Sequence, residues 1–257
     1  MMRTPIRSLV AVATVALACT APTAVCAELD DRTAASLEAA LADVARPEAD
    51  RERDRNRKPA DTLAFFGLRD DMTVLELVPG GGWYTRLLAP TLAEHGKLYV
   101  SIGTRNVQEN LLSQDGYEDV TVLPFTAIGD RDGRRLNVDA FDFGVEDVDL
   151  VLTFRNLHNF TESGRAAMNA ATFDALAPGG HYGVVDHTRR HMEEDSSENW
   201  RRMDPVQMIK EIEAAGFEFV DYSDLHFRAD DELEYEVGRR SVSGNTDRFT
   251  LLFRKPE

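Results

Sequence analysis

The stretch VLELVPGGGWYT, Val74 to Thr85, decides the fold. Val74 to Leu77 reads as a buried strand, and it runs straight into Pro79-Gly80-Gly81-Gly82 and two aromatics, Trp83 and Tyr84. Leu87, Leu88 and Leu92 then fall at helical spacing, with a stop at Gly96. A strand, a glycine turn and a helix make a rim of backbone amides at the carboxyl edge of a parallel sheet, where open α/β sheets hold their ligands. Without side chains, Gly80, Gly81 and Gly82 let an extended, partly apolar small molecule touch the main chain. The dinucleotide fingerprint needs its third glycine where Tyr84 or Thr85 stands, which argues against a nicotinamide or flavin cofactor.

Working outward, ADTLAFFGL reads as a helix ending at Gly67 and MTVLELV, 72–78, as the first core strand. KLYVSIG is a second strand, NVQENLLSQDGY a helix, and DVTVLPFTA a third strand. VDLVLTFRNLHNF, 148–160, opens as a fourth strand; GRAAMNAATFDALAPGG reads as a helix closed by Pro178-Gly179-Gly180, and HYGVVDH as a fifth strand. This alternation predicts helices on both faces of a mostly parallel sheet. In DPVQMIKEIEAAGF, Asp204 is the expected N-cap, Pro205 the first helical position, Gln207 the return side of a capping box and Gly216 the stop. FEFVDYSDL and RFTLLFRKP follow with no crossover helix between them, so they are expected as an antiparallel pair at one edge.

With 257 residues and 43% hydrophobic content, the chain suits one domain with a complete core rather than two. Residues 1–27 read as a signal peptide: Arg3 and Arg7 precede an apolar run from Leu9 to Ala18, and small residues favour cleavage after Ala27. That run is too short for a permanent membrane anchor. Lipid attachment at Cys19 fits less well, because Ala16 stands where a larger aliphatic is usual. Export to the periplasm or beyond is therefore expected, with 28–58 a polar, partly helical segment and 59–257 the packed domain. Both cysteines, Cys19 and Cys26, fall in the leader, leaving the rest without a disulfide, a thiolate nucleophile or a cysteine metal site. The net charge of −16 disfavours nucleic acid and anionic lipid as partners. Within 28–58, RPEADRERDRNRKP is expected to form a solvated face.

Several strings occur together in order: RNRKPADTLAFFGL, PGGGWYT with LLAP, RNLHNF, LAPGG, VVDH, EIEAAGF and DRFTLLFRKP. Over residues 46–257 they resemble a group of exported bacterial proteins classed as predicted methyltransferases, within the class I S-adenosylmethionine-dependent methyltransferases. The resemblance implies an α/β, Rossmann-like, doubly wound sheet of seven mostly parallel strands ending in an antiparallel pair. It also implies S-adenosylmethionine as cofactor, lying over Glu76, Pro79, Gly80, Gly81, Gly82, Trp83 and Tyr84. Glu76 matches the family's acid near the amino end of the methionine moiety, and Gly80 and Gly82 match two glycines of its first motif. Two positions depart from the pattern. Val78 replaces the first glycine, and Ser101, Ile102 and Gly103 offer no acid for the ribose hydroxyls.

Methyl transfer needs an aligned nucleophile and, for oxygen or nitrogen acceptors, often a base. After the fourth strand stand Arg155, Asn156, His158 and Asn159; His158 is read as a general base and Asn156 as a polar orienter of substrate, or both as loop and helix caps. Asp186 and His187 follow the fifth strand, and as neighbours on a strand they point to opposite sides, so they form no dyad with each other. His187 is a catalytic candidate on its position alone. Trp83 and Tyr84 wall the site or serve as core, and Arg57 with Lys58 reaches an anionic substrate or simply lies exposed. The histidines show no metal-ligand spacing with a fixed third ligand, and no Gly-x-Ser-x-Gly elbow is present. The expected function is methyl transfer to a small-molecule acceptor. A binding module that kept the fold without transfer activity is the alternative, and the scarcity of S-adenosylmethionine outside the cytoplasm speaks for it.

Overall fold

The computed structural model describes residues 28–257. The leader, its cleavage site, Cys19 and Cys26 lie outside the described residues. The N-terminal segment forms α1 (Asp31–Ala42) and two single-turn helices, α2 (Glu48–Arg51) and α3 (Asp54–Arg57), before α4 (Pro59–Phe65). Asp30 starts α1 by accepting from the amides of Arg32 and Thr33, a cap worth about 1 kcal/mol. Leu37 and Ala40 on α1 are buried against the domain, and α1 packs on α5 (Thr85–Leu92).

β1 (Thr73–Leu77) lies in the middle of a seven-stranded sheet, parallel to β2 (Lys97–Ser101) on one side and β6 (Val148–Phe154) on the other. With α6 (Arg105–Asn110), β3 (Thr121–Val122), α7 (Glu162–Ala175), β7 (Leu176–His187), α8 (Pro205–Glu213), β8 (Glu218–Ser223) and β9 (Arg248–Arg254), the sheet order is β3-β2-β1-β6-β7-β9-β8 if the hairpin described below takes the labels β4 and β5. β9 runs antiparallel to both β7 and β8, so it is the one reversed strand. Its first residue, Arg248, therefore sits at the carboxyl edge of the parallel strands, opposite His187.

Alternation along the strands divides the core. Leu150, Leu152 and Phe154 of β6 join Leu63, Phe66, Leu87 and Leu88 on one face; Val151 joins Met168, Ala171, Met208 and Ile212 on the other. Among the described residues no helix is long and apolar enough to cross a membrane.

Four local expectations change. The third strand shrinks to Thr121–Val122, because Pro124 has no amide to continue the ladder. LAPGG does not close α7. Leu176 already pairs with Val148, and the Pro178-Gly179-Gly180 stretch forms an irregularity in the pairing, with Gly179 at φ 78°. Asp204 does cap α8, accepting from the Val206 amide, whereas Gln207 reaches forward to Glu211 instead of back to the cap. A separate antiparallel hairpin, β4 (Ile128–Asp132) and β5 (Arg135–Val138), turns at Gly133 and was not expected.

Candidate active site

Three parallel strands end in the same unusual way. Val78 after β1, Ile102 after β2 and Arg155 after β6 have φ of 51°, 62° and 63°. For a residue with a side chain this left-handed conformation costs about 1–2 kcal/mol, and two of the three are β-branched. Neighbouring strands hold the turns: the Val78 amide donates to Ser101 O at 2.9 Å and that of Arg155 to Val185 O at 2.6 Å. Val78 thus keeps at strain the conformation that a glycine would adopt freely. Of the glycines that follow, Gly80 faces open space, with nothing within 4 Å of where a Cβ would stand. A Cβ on Gly82 would come within 2.5 Å of Leu111, so that glycine makes room for packing and not for a ligand.

Glu76, Pro79, Gly80, Gly81, Trp83, Tyr84 and Asn156 line one cavity of about 210 Å³ at the carboxyl ends of β1 and β6. Gly82, His158 and His187 are outside its wall. Glu76 is 3% exposed, and burial raises its carboxyl to about 7, against the lowering effects of the Thr85 hydroxyl and Arg57. Thr85 Oγ1 donates to Glu76 Oε2 at 2.6 Å, a contact that sequence reasoning missed although the two residues are only nine apart. Trp83 and Tyr84 lie in the turn before α5, not in the helix itself. The Trp83 indole donates to Asp50 O at 3.0 Å, and Tyr84 stacks on Phe154 with centroids 3.5 Å apart. Burial pushes the Tyr84 phenol up to about 12, so it stays protonated at neutral pH.

The charged N-terminal run is part of this wall. Asp50, Arg53 and Arg57 line the cavity, and Arg57 is only 7% exposed. Its guanidinium lies 4.2 Å from the Trp83 ring centroid and 5.7 Å from that of Tyr84. Burial, then Arg155, lower Arg57 to about 9. Arg46, from the same run, is also buried and pairs with Asp54. Lys58 adopts φ 40° at the start of α4 and is not on the cavity wall. Asn156 donates weakly to the carbonyls of Leu77 and Val78 at 3.4 and 3.3 Å, so its amide braces the strained β1 turn.

Val78 also borders a second, more apolar cavity of about 220 Å³, walled by Ile102, Gly103, Phe125, Phe160 and the hairpin. Among the described residues no carboxylate lines it. Asn137 and Asn159 are its neutral hydrogen-bonding groups.

The histidines fall into a different arrangement from the one alternation along a strand reveals. β6 and β7 pair Phe154 with Val185, so Asp186 lies beside the loop that leaves β6. Nδ1 of the buried His158 donates to Asp186 Oδ1 at 2.8 Å, and the His158 amide donates to the other oxygen at 3.3 Å. Asp186 is fully buried. His187 turns the other way, its Nδ1 2.9 Å from the Thr246 hydroxyl. Burial, then Arg248, Arg155 and His158, press its pKa well below the usual histidine value, and the ring is neutral. The two rings lie 6.0 Å apart.

No family model matches the chain, and no curated protein does. Solved structures do. A SAM-dependent methyltransferase from Aquifex aeolicus is similar over 79% of this chain and 92% of its own, with TM-score 0.55 and 16% identity. The glycopeptide N-methyltransferase MtfA, complexed with S-adenosyl-L-methionine, is similar over 77% and 87%, with TM-score 0.51 and 14% identity. The 4+2 cyclase SpnF is similar over 88% and 93%, with TM-score 0.54 and 15% identity. The chain has the class I methyltransferase fold, a Rossmann-like sheet with one reversed strand next to its edge.

Proposed function

We propose that the protein binds S-adenosylmethionine at the β1 and β6 strand ends and transfers its methyl group to a small acceptor. The observation that carries this reading is Glu76. A carboxyl group buried beside an open glycine turn, with a raised pKa, is built to meet a cation that takes over the charge balance on binding. The walls fit the cofactor's chemistry: Glu76 for an ammonium, the free backbone at Gly80 and Gly81 for the chain beside it, and the apolar cavity beyond Val78 for a flat base. When bound, S-adenosylmethionine supplies an electrophilic methyl group on a sulfonium centre.

The chain's own residues would do the rest. Tyr84 and Phe154 make an apolar wall that excludes water. His158 stands outside the cavity wall, two residues beyond Asn156; with Nδ1–H held by Asp186, its Nε2 is the nitrogen left to accept a proton from an acceptor that extends past Asn156, and Asp186 would stabilise the imidazolium. His187, neutral and anchored by Thr246, supports the dyad from the next position and has no basicity of its own to contribute near neutral pH. Asn156 fixes the β1 turn and presents its amide to the cavity. The leader-like sequence of residues 1–27 supports work outside the cytoplasm.

A second reading is a binding module without transfer activity. The absence of any acid around Ile102 and Gly103 favours it, and the fold also serves a 4+2 cyclase. Calorimetric titration with S-adenosylmethionine and S-adenosylhomocysteine tests the site. Micromolar binding by the wild type, lost in a folded Glu76→Ala variant, is expected; equal affinity in that variant would remove Glu76 from the site. Binding without turnover of any acceptor would leave the module.

A further inference from the structure

The cofactor reading leaves a surplus of positive charge at the cavity. Arg53, Arg57 and Arg155 line it, and Arg248 stands close by at the start of β9, donating to Asn56 O at 3.1 Å. Arg248 is 7% exposed, and its Nε has no hydrogen-bond partner. Among the described residues the only carboxylates on the wall are Asp50 and Glu76. Asp50 is shared between Arg86 at 3.5 Å and Arg53 at 3.9 Å, and Glu76 is occupied by Thr85, with burial raising its carboxyl to about 7. Among the described residues Arg57 and Arg155 make no ion pair and no side-chain hydrogen bond. A largely enclosed guanidinium whose donors make no bond to the protein keeps them open to whatever enters the cavity.

Resting on the reading above, the geometry points to an acceptor that carries an oxyanion, a carboxylate or a phosphate, held by Arg57 and Arg155 against the Trp83, Tyr84 and Phe154 rings. The cofactor alone does not balance the site. S-adenosylmethionine brings one carboxylate together with an ammonium and a sulfonium, so its arrival adds net positive charge to a wall that already carries too much. A second, anionic ligand is what neutralises it. The forked guanidinium suits the two oxygens of a carboxylate or phosphate, and the ring beneath Arg57 fixes the plane of the fork. The other arginine-rich cleft, between the hairpin and α8, is different: Arg135 and Arg189 are both paired with Asp195, and Arg165 with Glu211.

The test is titration of the full chain with benzoate, benzamide and inorganic phosphate, each with S-adenosylhomocysteine present and absent. Benzoate and benzamide have nearly the same shape and differ in charge. Benzoate is expected to bind at least ~10-fold more tightly than benzamide, and more weakly as salt is added. Arg57→Gln should weaken benzoate by about 10-fold or more, and by more than it changes S-adenosylhomocysteine affinity. Preference for phosphate over benzoate would keep the inference and choose the oxyanion. Equal binding of benzoate and benzamide, or binding of neither benzoate nor phosphate, overturns it without any variant having to fold. Loss of S-adenosylhomocysteine binding in Arg57→Gln, with benzoate unaffected, would give the guanidinium to the cofactor and overturn it as well. Discriminating benzoate binding by a protein that ignores S-adenosylhomocysteine would keep the anion site and sink the methyl-transfer reading instead.

Discussion

Two buried arginines show how one side chain serves two purposes. Arg202 is completely buried and uses four of its five donors: it makes two bonds to the Asp231 carboxylate at 2.9 and 3.0 Å, and donates to Tyr235 O and Thr188 O. Asp231 also accepts from the amides of Leu233 and Asp247, which ties down the long connection between β8 and β9. Arg57 is nearly as buried, lies against the Trp83 and Tyr84 rings, and among the described residues its guanidinium makes no hydrogen bond or ion pair. Where the donors are spent on the protein itself, the charge belongs to the fold. Where none is, the fold has left room for a partner.

The largest expected effect tests the satisfied side of that contrast. Asp231→Ala strands the Arg202 charge and should cost about 3–5 kcal/mol in denaturant unfolding, because removing one member of a buried pair leaves the other uncompensated. A loss below about 1 kcal/mol would show the pair to be ornamental and weaken the comparison. At the site, His158→Gln should lower turnover about 10²- to 10⁴-fold, far beyond what any loss of folded protein explains, with Asp186→Asn following in the same direction. Unchanged turnover and pH profile in both variants would take the dyad out of the chemistry.

Glu76 gives a smaller effect of opposite sign to Asp231. Its folded pKa of about 7 lies above the unfolded value near 4.5, so ionising it costs stability progressively as pH rises between the two, and fully above about 7. Glu76→Gln should therefore stabilise the protein by on the order of 1–3 kcal/mol at pH 8 and make little difference at pH 5. Thermal unfolding at the two pH values checks it; destabilisation at pH 8 would mean that the carboxylate has a partner in the free protein. Least in size is Arg57→Met, which removes an unpaired buried cation and should leave stability unchanged or raise it by about 1 kcal/mol. A loss like that of Asp231→Ala would make Arg57 a second structural arginine.

Much of the fold is legible in the sequence because β1, β6 and the later half of β7 are rich in apolar residues and Asp204 with Pro205 marks the start of α8. The hairpin escaped because β4, with Gly129, Asp130 and Arg131, has no apolar alternation, β5 offers only Leu136 and Val138 over four residues, and only the Asp132-Gly133 dipeptide marks the turn. Pro178-Gly179-Gly180 reads as a stop in one dimension; pairing with β6 makes it an interruption within a strand. At the site, Glu76 to Tyr84 were readable as contiguous chain. The His158–Asp186 bond was not, since it depends on β6 and β7 lying side by side in one register. Nor was the burial of Arg57, because a run of charges carries no sign of the rings it will meet.

The pH dependence of S-adenosylmethionine affinity tests the central claim most directly. If the ligand's ammonium meets the Glu76 carboxylate, binding must expel the carboxyl proton, and affinity should rise by up to about 10-fold per pH unit below about 7 and then level off. The rise should vanish in Glu76→Gln together with most of the affinity. A flat profile across that range, or no binding at millimolar ligand, would contradict the account.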